Sequence, residues 1–324
     1  MKSDAFITKP YLSVLVPLLL IWSGYMQYMG LWSILPEKVI IMITMVFGSI
    51  VAGISAEGGG AVAFPVFTKL LDIAPIDARN FGLLIQSIGM GMASFVIFTK
   101  RMNVLWRVIF VVSLGGIFGQ IYGAYALSLP GSTTKLLFTI ISSMLGIAVF
   151  LTRWVLKMPV YNRLENWTFK HKILFTLIGF IGGCFASQTS SGIDMLSFIF
   201  LVLLFGINEK VATLSSVVIM AFNSMVGATI HAFFIQDIST FAYEAWLSAI
   251  PIVVFGAPLG TLLAARINRD TIIILLLSLI FIEFLSTLIL VPIDPVFAVS
   301  VGLFCILFFA GLVYFRRRIT VRDD

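Results

Sequence analysis

Charge is what this chain has least of. Only 11% of its 324 residues are Asp, Glu, Lys or Arg, against 60% hydrophobic residues and a mean hydropathy of +1.09. Too little polar surface exists to cover a water-soluble core, so a soluble globule is excluded. Histidine and cysteine occur twice each. Cys184 and Cys305 stand in apolar sequence without CxxC spacing, which excludes a disulfide framework and gives no reason to expect a metal site. HExxH, P-loop and G-x-S-x-G patterns are missing, so a membrane-embedded enzyme and ATP-driven transport within this chain both lack a motif. No cofactor is called for. The alternating ten-residue segments of a membrane β-barrel are also missing.

What the chain has instead is long apolar runs. Breaks at charged or proline-rich positions divide it into segments 11–32, 38–56, 61–71, 80–98, 104–128, 134–156, 172–187, 192–206, 211–235, 243–265, 271–290 and 296–315. A helical crossing needs about 20 residues. The run 61–71 is too short, and 172–187 and 192–206 are short as well. Each short run adjoins a polar, helix-breaking stretch, Ser55-Ala56-Glu57-Gly58-Gly59-Gly60-Ala61 or Ser187-Gln188-Thr189-Ser190-Ser191-Gly192. Irregular backbone at membrane depth is tolerated only where protein or a cavity protects it. The two stretches therefore read as tips of re-entrant hairpins.

Lysine and arginine test this reading. With both termini cytoplasmic and each hairpin returning to its own side, the inner loops hold 17 of the 21 Lys and Arg residues, leaving Lys38, Lys69, Arg79 and Lys135 outside. Basic residues belong inside. The net charge of +6 thus serves orientation, and no nucleic-acid partner is expected. Lys2 and Lys9 precede an apolar run without an A-x-A-like cleavage triplet, so that run reads as an uncleaved first membrane segment.

The expected fold is an all-α polytopic membrane protein, an inverted repeat of two halves, each a broken hairpin followed by three spanning helices, with an extra helix at each terminus. Its parts are an N-terminal helix (1–36), a first repeat (37–157), a cytoplasmic linker (158–171), a second repeat (172–291) and a C-terminal helix with a basic tail (292–324). Faint echoes support the repeat. Ala52-Gly53 matches Gly182-Gly183, and Gly119-x-x-x-Gly123 matches Gly256-x-x-x-Gly260. Small residues four apart also serve plain helix packing.

Helices that begin in mid-membrane present unpaired N–H groups and the positive end of the helix dipole, which suits an anion. Gly58, Gly59 and Gly60 allow close approach, and Thr189, Ser190 and Ser191 offer hydroxyls beside Gln188. Gln86 and Asn223 lie one turn from corresponding positions in the two halves and are expected to flank the same cavity. Glu57 is a carboxylate at membrane depth, suited to coupling or gating; its other reading is a cap on the following half-helix. Asp194 fits local capping through Ser191-x-x-Asp194 as well as gating. Glu283, inside Leu279–Leu285, faces either a cavity or a buried donor.

Ala52-Gly53-Ile54-Ser55-x-x-Gly58-Gly59-Gly60 with Pro65, and Pro251-x-x-x-x-Gly256-Ala257-Pro258-Leu259-Gly260-Thr261 with Arg266, resemble the paired motifs of the sulfite exporter TauE/SafE family over roughly residues 38 to 290. The resemblance implies a multi-pass protein of the bacterial inner membrane that moves small sulfur-containing anions such as sulfite or sulfonates outward. Two features depart from the family pattern. Glu57 precedes the triple glycine, and the second break carries hydroxyls and an amide in place of a second glycine-rich stretch, which argues against sulfite itself. The expected function is a secondary transporter binding a small anion at the midplane, with proton coupling as an option. A channel-like or accessory membrane subunit is the alternative.

Overall fold

The computed structural model describes residues 8–156, 159–164, 167–292 and 295–320. The first seven and last four residues and the domain boundary placed at 157/158 lie outside them. Among the described residues every regular element is a helix, apart from one isolated bridge between Tyr161 and Ile207. Among the described residues eight helices are long and apolar enough to cross a membrane: Lys9–Tyr28, Pro75–Thr99, Trp106–Ala126, Gly131–Val155, Phe169–Thr189, Glu209–Ile235, Thr240–Arg266 and Arg269–Leu290. A bent pair, Leu31–Glu37 with Val39–Ile54 at 76°, makes a ninth when counted as one span.

In chain order these are α1 (Lys9–Tyr28), the short α2 (Ile34–Glu37) and α3 (Val39–Ile54), then α4 (Gly60–Pro65), which runs on into a wide π-turn at Val66–Leu70. Next come α5 (Pro75–Thr99), α6 (Trp106–Ala126), α7 (Gly131–Phe150) and α8 (Phe169–Thr189). α9 (Ile193–Ile199) likewise continues into a π-turn, Phe200–Leu204. The chain closes with α10 (Glu209–Thr229), α11 (Thr240–Arg266), α12 (Arg269–Leu290) and α13 (Pro295–Thr320).

Two helical hairpins stand out. α3 ends at Ser55 in extended backbone, Gly58 takes a left-handed φ of 65°, and α4 folds back so that Val62 lies against Gly48. In the second hairpin the left-handed residues are Ser190 (φ 64°) and Gly192 (φ 132°), and α9 folds back until a Cβ on Gly182 would lie 2.6 Å from the Cα of Ile193. α8 is longer than the run 172–187. Thr168 and His171 form a capping box that starts it at Phe169, and Gln188 and Thr189 continue its last turn. The second break is therefore Ser190–Gly192, and α8 has the length of a crossing.

The outgoing limbs pack closely on other helices, α3 on α11 and α8 on α6. A Cβ on Gly53 of α3 would lie 2.2 Å from the Ala257 carbonyl oxygen of α11, and one on Gly260 would lie 2.1 Å from that of Ile50. A Cβ on Gly119 of α6 would lie 2.0 Å from the Phe180 carbonyl oxygen of α8, and one on Gly183 2.5 Å from that of Gly116. In both pairs the contacts advance in the same direction, so the helices run parallel. Lipid supplies no hydrophobic drive between helices, and small residues let backbones meet closely instead. Gly115, Gly119 and Gly123 all face α8, and Gly256 and Gly260 face α3; by its contacts Gly119, against the Phe180 carbonyl, answers to Gly260, against that of Ile50, one turn from the expected match.

α5 and α10 fill the middle, with Gly91 against Met225 and Leu83 against Gly227. α7 meets α12 where Gly146 touches Ile280. α1 is tied to α11 by Tyr11 Oη donating to the Val254 carbonyl and Trp22 Nε1 donating to that of Leu247. Large side chains facing away from this core, such as Ile21, Phe110 and Ile289, are exposed, a pattern that in this setting marks contact with lipid.

Candidate functional site

The two hairpin tips meet. Ser191 Oγ donates to the Glu57 carbonyl at 3.1 Å. Asp194 Oδ2 lies 2.8 Å, and Gln86 Oε1 3.3 Å, from where a Cβ on Gly58 would stand. Gln86 Nε2 donates to the Ser190 carbonyl at 3.2 Å, and the Ser190 side chain is pressed onto Gly82 of α5. Glu57, Gln86, Ser190, Ser191 and Asp194 are all buried. Within this cluster Gln86 Oε1 and Ser190 Oγ have no hydrogen-bond partner. Buried polar atoms are rarely left so, because each costs about 1–3 kcal/mol.

The two carboxylates behave differently. Glu57 does not cap α4, which starts at Gly60 after Gly59 with no side-chain cap; its Oε1 accepts a hydrogen bond from Ser142 Oγ of α7. Asp194 Oδ1 accepts from the backbone N–H of Gly192 at 2.8 Å and of Met195 at 3.0 Å, with Ser191 Oγ donating at 3.1 Å. Asp194 thus takes donors at the start of α9, whereas Gly59, the residue before α4, has no side chain with which to cap it.

Other expected site residues lie elsewhere. Gln188 Nε2 donates to the carbonyls of Gly123 at 2.9 Å and Leu127 at 3.3 Å, closing the end of α6. Thr189 Oγ1 donates to the Ser191 carbonyl at 2.6 Å, within its own turn. Asn223 is brought to Gly116, and neither of its amide atoms has a partner. Near it stands a residue that the sequence reading missed. Gln120 of α6 is fully buried beside Gly227 with both amide atoms unpartnered. An amide inside the glycine ladder of an apolar run was the available signal.

Three of the four cations assigned to the outer side are held by carboxylates of the second half. Lys38 pairs with Glu244 at 2.9 Å, Lys69 with Glu283 at 2.5 Å and Arg79 with Asp237 at 2.6 Å. The Lys69–Glu283 pair answers the question left open about Glu283: it meets a buried donor. The pair is about as buried as side chains become, and Thr139 Oγ1 also donates to Glu283 Oε1 at 2.7 Å.

Asp237 sits in the connection between α10 and α11 and also binds Nδ1 of buried His231 at 2.9 Å. Burial would push its carboxyl up, but the His231 hydrogen bond and the Arg79 charge outweigh this and hold it below its ordinary value. A depressed carboxylate stabilises above its ordinary titration range, and the contribution is lost as pH falls through the folded value. Asp237→Asn is accordingly expected to cost about 1.5–3 kcal/mol at neutral pH through lost charge-assisted hydrogen bonds. Thermal unfolding in detergent should show the gap to the parent protein closing below roughly pH 4; a gap of constant size would refute the assignment.

Cavities of 240 to 480 Å³ lie around the core among the described residues, and Gln188, in the last turn of α8, lines one of them. Among the described residues no group of three or more His, Cys, Asp or Glu side chains is arranged to hold a metal ion.

Comparison with known proteins gave one match. The family model described as "Sulfite exporter TauE/SafE" matches residues 40–287, from the start of α3 to the last turn of α12. No curated protein and no solved structure matched. The matched span takes in both hairpins and the helices that pack on them, and the chain belongs to the TauE/SafE sulfite exporter family, a family of membrane transporters.

Proposed function

We propose that this protein is a secondary transporter of small sulfur-containing anions, exporting sulfite or an organosulfonate across the bacterial inner membrane, with both termini cytoplasmic and the substrate held between the two hairpin tips. The observation that carries the reading is the meeting of the tips around buried polar atoms, Gln86 Oε1 and Ser190 Oγ, that have no partner within the protein. The Ser190 hydroxyl can donate to an oxyanion, Gln86 Oε1 can accept from a water that accompanies it, and the backbone at Gly58, Gly59 and Gly60 supplies further donors. Family membership supports transport over catalysis.

The inverted repeat belongs to the same reading. It is supported by the parallel packing of α3 with α11 and of α8 with α6, which follows if the two hairpins enter from opposite sides and the intervening helices each cross once. The ion pairs Lys38–Glu244, Arg79–Asp237, Arg153–Asp270 and Arg269–Glu209 agree with it, since each joins residues assigned to one side. Asymmetry between the tips bears on substrate choice. Asp194 occupies the second helix start, so the anion faces the first, and Glu57 is placed beside it to carry a compensating proton.

Counterflow in liposomes containing only this protein tests the reading. Sulfite, methanesulfonate, sulfate and acetate are loaded inside, and exchange of labelled sulfite and methanesulfonate is followed with and without a proton gradient. Saturable exchange of at least one sulfur anion, competed by the others more strongly than by acetate, is the expected result. Absence of competition by any anion would sink the anion assignment, and linear, unsaturable flux would favour a channel.

A further inference from the structure

Away from the tips, a second polar cluster connects back to Glu57 along one face of α7. Ser142, whose hydroxyl donates to Glu57, stands three residues from Thr139, whose hydroxyl donates to Glu283 Oε1 at 2.7 Å and exchanges a 2.6 Å hydrogen bond with Thr287. Residues three apart on a helix are neighbours on its surface, about 5–6 Å between Cβ atoms, a gap that one bridging water closes. We infer that Glu283 is the proton-loading site of this transporter and passes its proton to Glu57 through Thr139 and Ser142, on a route separate from that of the anion. The inference rests on the transport reading above.

Three observations support it. Glu283 Oε2 is buried without a partner, so the carboxyl has a vacant oxygen on which a proton can sit. A cavity of 240 Å³ is lined by Lys69, Glu283 and Ser286, and a second of 480 Å³ is lined by Thr139, Ser143 and Thr287, so space adjoins the cluster on both sides. On protonation the ammonium loses its counter-charge but keeps three neutral acceptors. Lys69 Nζ keeps Ser286 Oγ at 3.0 Å, Thr287 Oγ1 at 2.8 Å and the Glu283 carbonyl at 3.4 Å.

The step balances. A proton arriving from solvent converts the Glu283 carboxylate to the acid. That acid turns its proton-bearing oxygen toward Thr139 and gives the proton to the Thr139 hydroxyl oxygen as Thr139 releases its own to the bridging water; the water passes one of its protons to the Ser142 hydroxyl oxygen, and Ser142 releases its own to Glu57. Glu57 ends as the acid and Glu283 as the carboxylate paired with Lys69. The charged groups facing the route are Lys69 on the returning limb of the first hairpin, Lys135 on α7 behind it, and Asp194 on the second hairpin beside Glu57. Glu57 and Glu283 are near enough to repel one another, which favours one proton shared between them.

The test compares the ratio of proton-gradient-driven uptake to counterflow, with sulfite and methanesulfonate as probes, in the parent, Glu283→Gln, Thr139→Val and the neutral pair Lys69→Met with Glu283→Gln. The ratio is expected to fall at least tenfold in all three. A ratio within twofold of the parent in the neutral pair overturns the inference. So does a parent that performs counterflow but ignores the proton gradient, and this outcome leaves the transport reading standing. If no probe exchanges at all, the transport reading fails by itself, and infrared difference spectra across a pH step still decide: a protonated-carboxyl band lost in Glu283→Gln and shifted in Ser142→Ala supports the route, and spectra like the parent's refute it.

Discussion

Lys69→Met is expected to destabilise the protein by about 3–5 kcal/mol, the cost of leaving a buried carboxylate without its counter-ion. The side chains of Lys69 and Glu283 retain 1% and 3% of their exposure, so solvent cannot take over the missing charge. The hydroxyls of Thr139 and Thr287 remain and soften the loss without neutralising it. Adding Glu283→Gln on top should recover most of the stability, because a neutral pair of similar shape no longer pays the desolvation cost of an ion. Thermal unfolding in detergent micelles checks both. A single variant as stable as the parent would show that the pair does not form.

The second large effect is expected at Gly82. A Cβ there would stand 2.1 Å from Ser190 Oγ and 2.6 Å from Ser190 Cβ, so Gly82→Ala must push the second tip away from α5 or force Ser190 from its seat. Overpacking of this kind costs about 1–3 kcal/mol, and moving a binding group by about 1 Å can cost a hundredfold in rate. Sulfite or methanesulfonate counterflow should therefore fall between ten- and a hundredfold. Ser190→Gly in the same chain removes the clash and relieves a left-handed serine, which costs about 1–2 kcal/mol. The double variant is expected to regain its melting temperature but not its transport. Recovery of transport as well would show that the Ser190 hydroxyl makes no contact with substrate.

Much of the architecture was legible because hydropathy and helix breakers report directly on membrane segments. Each of the twelve apolar runs corresponds to one of the helices from α1 to α13 apart from the four-residue α2, and both breaks contain left-handed residues where the sequence offered glycine or a small polar residue. The extent of α8 was not legible, since Gln188 and Thr189 are polar and look like loop, yet α6 accepts one and the next turn the other. Partners across the fold were least legible of all. Lys69 and Arg79 look like loop cations in sequence, and nothing local says that Glu283 and Asp237 will meet them more than 150 residues later. The glycine ladder was read as a pair with the right spacing but one turn out of register, because spacing fixes a face of a helix and not the height at which a neighbour meets it.

The three outer cations have a consequence for how the chain comes into being. Lys38, Lys69 and Arg79 belong to the first half, and their carboxylates Glu244, Glu283 and Asp237 to the second. At about 5–20 residues per second, a ribosome makes Lys69 roughly 10–40 s before Glu283. Over that interval the nascent first half carries positive charges on the side read here as external, against the bias that orients membrane helices. On that reading the pairs that neutralise them form only when the second half arrives, so stable insertion of the first half is expected to depend on the second.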